Sequence, residues 1–286
     1  IKGIVDRLEA TGRTWLGLTL ECAECHDHKH DPISQREYYE LFAIFNNVPH
    51  LGTGYGVHGP LMKYTPPAVG LAKAAPTIEV PVMDELPQPR ETHLLVRGDF
   101  KNKGKRVTAG TPKILPPLKA KGSEPPNRLD FARWLFSADQ PLTARVAVNR
   151  IWRHHFGEGL VRTVADFGRY GDRPSHPELL DWLAVRFVES GWDVKAMHRL
   201  IVSSATYRQA SRRRPDAELV DPQNRLLAWF PRVRLPAEQI RDGALAAAGQ
   251  LSTRIGGPSV FPVQPAGLYE ERGQDLPGNS NFKWVD

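Results

Sequence analysis

The run Leu142-Thr143-Ala144-Arg145-Val146-Ala147-Val148-Asn149-Arg150-Ile151-Trp152-Arg153-His154-His155-Phe156-Gly157 reads as one helix closed by glycine, and it sets the architecture of the second half of the chain. Upstream, Asn127 is a natural N-cap before Leu129, Phe131, Ala132 and Leu135. Downstream, Ser175-His176-Pro177-Glu178 has the capping-box pattern, followed by Leu179, Leu180, Leu183, Phe187 and Val188 and a stop at Gly191. A helix after Asp193 carries Val194, Met197, Leu200 and Ile201; Pro236 opens a last one through Ile240, Leu245 and Leu251, ending before Gly256-Gly257. Residues 122–286 are therefore expected to form an all-helical domain without internal repeats.

The first fifty residues predict a second helical part. An amphipathic segment with Ile4, Val5, Leu8, Trp15, Leu16 and Leu18 reads as helix over 1–20. Ser34 and Glu37 then form a capping box ahead of Tyr38, Leu41, Phe42 and Phe45. Between the helical parts, residues 51–121 are punctuated by Gly and Pro, which excludes continuous helix, with β-like runs at Thr77 to Val82 and His93 to Val96. The expected fold is mainly α: two helical parts, 1–50 and 122–286, joined by a Pro/Gly-rich connector with a few short strands.

A 41% hydrophobic content over 286 residues is enough for a core, and the net charge of +6 comes from a mixed-sign surface. The basic runs Lys101 to Arg106 and Arg212 to Arg214 lack interleaved aromatics and read as solvated loops, so no nucleic-acid partner is expected. No stretch approaches the roughly 20 apolar residues of a transmembrane helix, and the chain reads as a piece of a longer protein.

Both cysteines of the chain fall in Cys22-Ala23-Glu24-Cys25-His26, the attachment signature of c-type haem. In that reading each thiol adds to a porphyrin vinyl group and His26 is the axial ligand of the haem iron. His28, His30 and Asp31 follow at once as groups that tune the pocket or serve as alternative ligands. Two other readings stay open: a zinc site built from Cys22, Cys25 and two of His26, His28 and His30, and a thioredoxin-like thiol pair, for which no βαβ setting is evident. Candidates for a sixth haem ligand are Met62, Met83, His50, His58, His93, His154 and His155. On the 142–156 helix, Asn149 and Arg153 share a face that could hold a carboxylate, a propionate or a sugar; pairing of such arginines with Asp166 or Asp181 is the structural alternative. No phosphate loop, nucleophile elbow or metalloprotease helix is present, and no catalytic residue is named.

The run from Thr14 to Lys29 with Asp31-Pro32-Ile33-Ser34-Gln35, and the later runs Asn127 to Asp130, Leu142 to Trp152, Ser175 to Leu183 and Ser203 to Tyr207, resemble planctomycete-type cytochrome c domain-containing proteins. The resemblance implies an exported, periplasmic or cell-surface protein, holding the end of the first and much of the second of the two uncharacterised domains that follow the cytochrome c domain. It also implies a redox partner protein, or the N-terminal cytochrome domain of a longer chain, as partner. The leading functional expectation is a c-type haem protein with an electron-transfer role. The alternatives are a metal-stabilised binding module for a polysaccharide or protein, and a redox enzyme with an open haem or metal coordination site.

Overall fold

The computed structural model describes residues 1–48, 61–65, 77–120 and 125–254. These fall into two units, a larger one from 1–48, 83–120 and 125–235 and a smaller one from 61–65, 77–82 and 236–254. In the smaller unit, strands β1 (Leu61–Tyr64) and β2 (Ile78–Pro81) pair antiparallel with Met62 opposite Val80. The same unit holds helix α9 (Ala237–Ala247), which begins after Pro236 as the sequence predicts. The residues from 255 onward, including the expected stop at Gly256-Gly257, lie outside the described residues.

The larger unit is mainly helical. Helix α1 covers Lys2–Thr11 and gives way to a π-helical turn, Gly12–Leu16, which ends on Gly17 at φ 60°. The expected helix over 1–20 is thus shorter. Gly17 takes the left-handed conformation that ends helices readily, and a Cβ there would lie 2.8 Å from Phe167 and 2.9 Å from Val146. A short 3-10 helix, Glu21–Glu24, precedes α2 (Gln35–Phe45). The capping box of α2 forms as read: Glu37 N–H donates to Ser34 Oγ, and the Glu37 carboxylate accepts from Ser34 N–H at 2.7 Å.

Within the connector, β3 (Thr92–Leu95) and β4 (Lys103–Val107) make a second antiparallel hairpin that packs on α2. The basic run expected as a loop is therefore largely strand β4. Helices α3 (Arg128–Leu135), α4 (Thr143–Phe156), α5 (Pro177–Glu189), α6 (Val194–Ser203), α7 (Ala205–Arg208) and α8 (Pro215–Val220) follow. Asn127 caps α3 and Asp193 caps α6 with their side chains, whereas α5 is capped by His176 with Pro177 in its first turn and without a side-chain bond.

Two apolar clusters result. One joins Leu8, Leu16, Leu20, Tyr38, Tyr39, Leu41 and Ile44 to Phe131 and Trp134; the other packs Val148, Trp152, Phe156 and Leu160 against Leu180, Leu183, Phe187, Met197 and Ile201. Polar side chains fasten the segments that carry them. Arg150 of α4, whose guanidinium pKa is lowered by burial, donates to the backbone carbonyls of Thr14 and Arg13. Asp31 accepts from Arg169 N–H at 2.6 Å, Phe167 N–H donates to Gly17 O at 2.6 Å, and His30 stacks on Tyr170.

Gly168 lies so close to the Asp31 carboxylate that a Cβ would collide with both oxygens. Gly168→Ala is expected to destabilise the chain by about 1–3 kcal/mol, the usual cost of forcing extra volume into a packed site. Chemical denaturation monitored by circular dichroism checks this, with an unchanged midpoint as the contrary result.

Candidate functional site

The cysteine motif occupies the 3-10 helix Glu21–Glu24 and the residues directly after it. Ala23 is its buried anchor, while Cys22, Cys25 and His26 are exposed at the surface and both thiols are free. The segment is held from below by the Glu24 carbonyl, which accepts from Tyr39 Oη at 3.0 Å and Gln35 Nε2 at 2.9 Å. Asp27 accepts from Gln35 N–H at 2.7 Å, and His26 Nδ1–H donates to the Asp27 carbonyl at 2.7 Å.

The side chains after the motif hold the backbone. His28 Nδ1 accepts from Asp31 N–H at 2.8 Å and His30 N–H at 3.3 Å, so that nitrogen is unprotonated, and its 3.7 Å approach to Asp31 Oδ2 is no ion pair. Asp31 is spent on Arg169. These residues shape a tight loop and fasten it to residues 166–170.

This geometry overturns the haem, zinc and open-site redox-enzyme readings of Cys22, Cys25 and His26, and with them electron transfer through a bound haem. Among the described residues, no group of three or more His, Cys, Asp and Glu side chains is arranged to hold a metal ion. The cause is local: two outward thiols flanked by Glu21, Glu24 and Asp27 do not converge with the imidazoles, and His28 and Asp31 face backbone donors instead. None of five cavities formed by the described residues is lined by Cys22, Cys25 or His26, whereas a covalently held porphyrin needs an apolar crevice beside its thiols. Of the suggested sixth ligands, His155 hydrogen-bonds His198 at 2.8 Å, and His50 and His58 lie outside the described residues.

On the α4 face singled out in the sequence, Asn149 has a structural role, while Arg153 is exposed and borders a cavity with Arg150 and Asp166. Asn149 is fully buried and bonds both the carbonyl and the N–H of Val161 at 2.9 Å. Arg145, not Arg150 or Arg153, pairs with Asp181, at 2.7 Å.

A site that the sequence reading missed lies at the C-terminal end of α4. A cavity of about 540 Å³ is bounded by Trp152, Phe156, Ser175, Gln223 and Trp229, and by four arginines, Arg213, Arg225, Arg232 and Arg234. Glu158 is its one carboxylate, already shared between Arg162 at 3.0 Å and Arg225 at 3.7 Å. Arg213 pairs with Glu218, while among the described residues neither Arg232 nor Arg234 is in an ion pair.

The wall carrying these arginines is built by local side-chain bonds. Asp221 accepts from Leu226 N–H at 2.6 Å, Gln209 Nε2 donates to Leu227 O at 2.9 Å, and buried Asn224, at φ 52°, donates to Trp229 O at 2.8 Å. Asparagine tolerates this left-handed backbone because its short side chain bonds locally. In the sequence only Arg212 to Arg214 stands out, and nothing in the spacing links that run to Trp152 some sixty positions earlier.

Residues 127–282 match the PSD1 family, described as Protein of unknown function (DUF1553), and residues 1–50 match PSCyt2, Protein of unknown function (DUF1549). With more than half of its length matched, the chain belongs to the PSD1 family; both domains are known from planctomycete cytochrome-c-associated proteins. No curated protein and no solved structure matches the chain.

One buried carboxyl near the motif sets a pH dependence. Glu9 Oε2 accepts from Leu20 N–H at 3.4 Å, while Oε1 is buried without a partner. Burial first, and Glu21 second, push its pKa up from 4.5 to about 7. A carboxyl that binds its proton more tightly when folded contributes stability fully below the unfolded value near 4.5, and loses that contribution as pH rises through about 7. Urea denaturation of wild type and Glu9→Gln at about pH 5.5 and about pH 8.5, on either side of that folded value, is expected to show the variant losing less stability across the interval. Parallel losses would contradict the assignment.

Proposed function

We propose that this chain is the ligand-binding module of an exported protein and that its arginine cavity takes a segment of an acidic polysaccharide. The carrying observation is the cavity's charge: four guanidinium groups, of which Arg232 and Arg234 are in no ion pair among the described residues, against one carboxylate already shared by Arg162 and Arg225. Guanidinium groups present paired N–H donors matched to carboxylate, sulfate or phosphate oxygens, and charge-assisted bonds of this kind are the stronger ones. A volume of about 540 Å³ suits a few sugar residues, with Ser175 and Gln223 as hydroxyl partners and Trp229, Pro222 and Pro231 offering apolar faces to ring C–H groups.

The family match over 127–282 supports a helical module at 122–286, preceded by a segment at 1–50 and a connector at 51–121. The association of both domains with cytochrome c proteins supports a periplasmic or cell-surface location. It also supports the cytochrome domain of a longer chain, or a separate redox protein, as the partner that this module brings to its ligand. Among the described residues, no helix is long and apolar enough to cross a membrane.

Titration calorimetry against a polyuronate, a sulfated polysaccharide and a neutral glucan tests the reading. An acidic polymer is expected to bind in a salt-sensitive manner. Arg232→Ala/Arg234→Ala is expected to lose at least about tenfold in affinity, since bonds to charged groups contribute roughly 1.5–3 kcal/mol each. Lys101→Ala, in the β3–β4 hairpin, is expected to leave binding intact. Equal binding of the neutral glucan, or full affinity in the double variant, would sink the proposal.

A further inference from the structure

The exposed thiols that hold neither haem nor zinc have a chemistry of their own. In a 3-10 helix, with three residues per turn, side chains at i and i+3 stand one above the other. Cys22 lies in such a helix, and Cys25 directly after it keeps right-handed dihedrals, φ −103° and ψ −29°. The two therefore share one column on the exposed side of the segment, while Ala23 between them is buried.

The surroundings keep this arrangement in place. The Glu24 carbonyl is fixed by Tyr39 and Gln35, and Gln35 Nε2 also donates to Leu95 O at 3.0 Å, tying the cysteine segment to the end of β3. Beyond β3 the turn is formed by Arg97 at φ 54° and Gly98 at φ 74°. A Cβ on Gly98 would lie 2.9 Å from Cys25 Sγ, so this backbone closes over one side of that sulfur. The carbonyl of Asp27 only accepts, so Nδ1 of His26 donates to it and the ring is held against the backbone directly after Cys25.

From this juxtaposition we infer that Cys22 and Cys25 are a reversible dithiol–disulfide pair that exchanges with the disulfide of a partner protein or a small molecule. The Cys22 thiolate attacks a disulfide R–S–S–R. A Cys22–S bond forms, the S–S bond breaks, and one RS⁻ leaves and takes up a proton. The Cys25 thiolate then attacks Cys22 Sγ, forms the internal disulfide and expels the second RS⁻, which is protonated in turn. Two electrons pass from the cysteine pair to the external disulfide, and the two protons lost by Cys22 and Cys25 end on the released thiols. Cys22 is the attacking thiol and Cys25 the resolving one, because the Gly98 backbone closes over one side of the otherwise exposed Cys25 sulfur.

The test uses oxidised glutathione on the folded chain, followed by mass spectrometry and non-reducing peptide mapping. Wild type is expected to lose two hydrogens, to carry a Cys22–Cys25 linkage and no glutathione, and to regain two titratable thiols on reduction. Cys25→Ser is expected to stop at a stable glutathione adduct on Cys22, and Cys22→Ser to form its adduct more slowly. Wild type carrying glutathione on both cysteines, or linking only between chains, would overturn the inference. The outcome is independent of the arginine cavity, so polysaccharide binding and thiol exchange succeed or fail separately.

Discussion

The structure depends on a small set of bonds from polar side chains to backbone. Asp31 receives the N–H of Arg169, and Arg150 holds the carbonyls of Arg13 and Thr14 in the π-helical turn. A buried donor or acceptor left without its partner costs about 1–3 kcal/mol, so these bonds fix how the cysteine segment lies against α4 and residues 166–170 within the larger unit. They also account for the sequence around them. Gly17 and Gly168 are where the backbones come too close for a side chain.

The helical architecture is legible in the sequence because its signals are local. Ser34 with Glu37, Asn127 with Asp130 and Gly157 after Phe156 announce helix ends through bonds made within a few residues. The π-helical turn after Thr11 is not legible, since it follows from packing of Gly17 against Val146 and Phe167 far along the chain. The pairing of Lys103–Val107 with Thr92–Leu95 is hidden for a related reason: a basic strand on an exposed hairpin has the composition of a loop.

The candidate site shows the limits of a motif more sharply. Cys22, Cys25 and His26 have the spacing of haem attachment, but spacing does not supply convergent ligands or an apolar crevice, and Ala23 is the residue of the motif that faces the core. His28 and Asp31 have the residue types of spare ligands, yet both spend acceptor atoms on backbone N–H groups. The arginine cavity is invisible in the sequence for the opposite reason. Its parts are scattered from Trp152 to Arg234, and only the loop held by Asp221, Asn224 and Gln209 brings them together.

Binding of an acidic polymer in that cavity is the central claim, and hydrogen–deuterium exchange with and without a bound polyuronate tests it most directly. The loop over 209–234 is expected to gain protection on binding while the cysteine segment over 21–26 is unchanged. Protection confined to other parts of the chain, with 209–234 unaffected under saturating ligand, would contradict it.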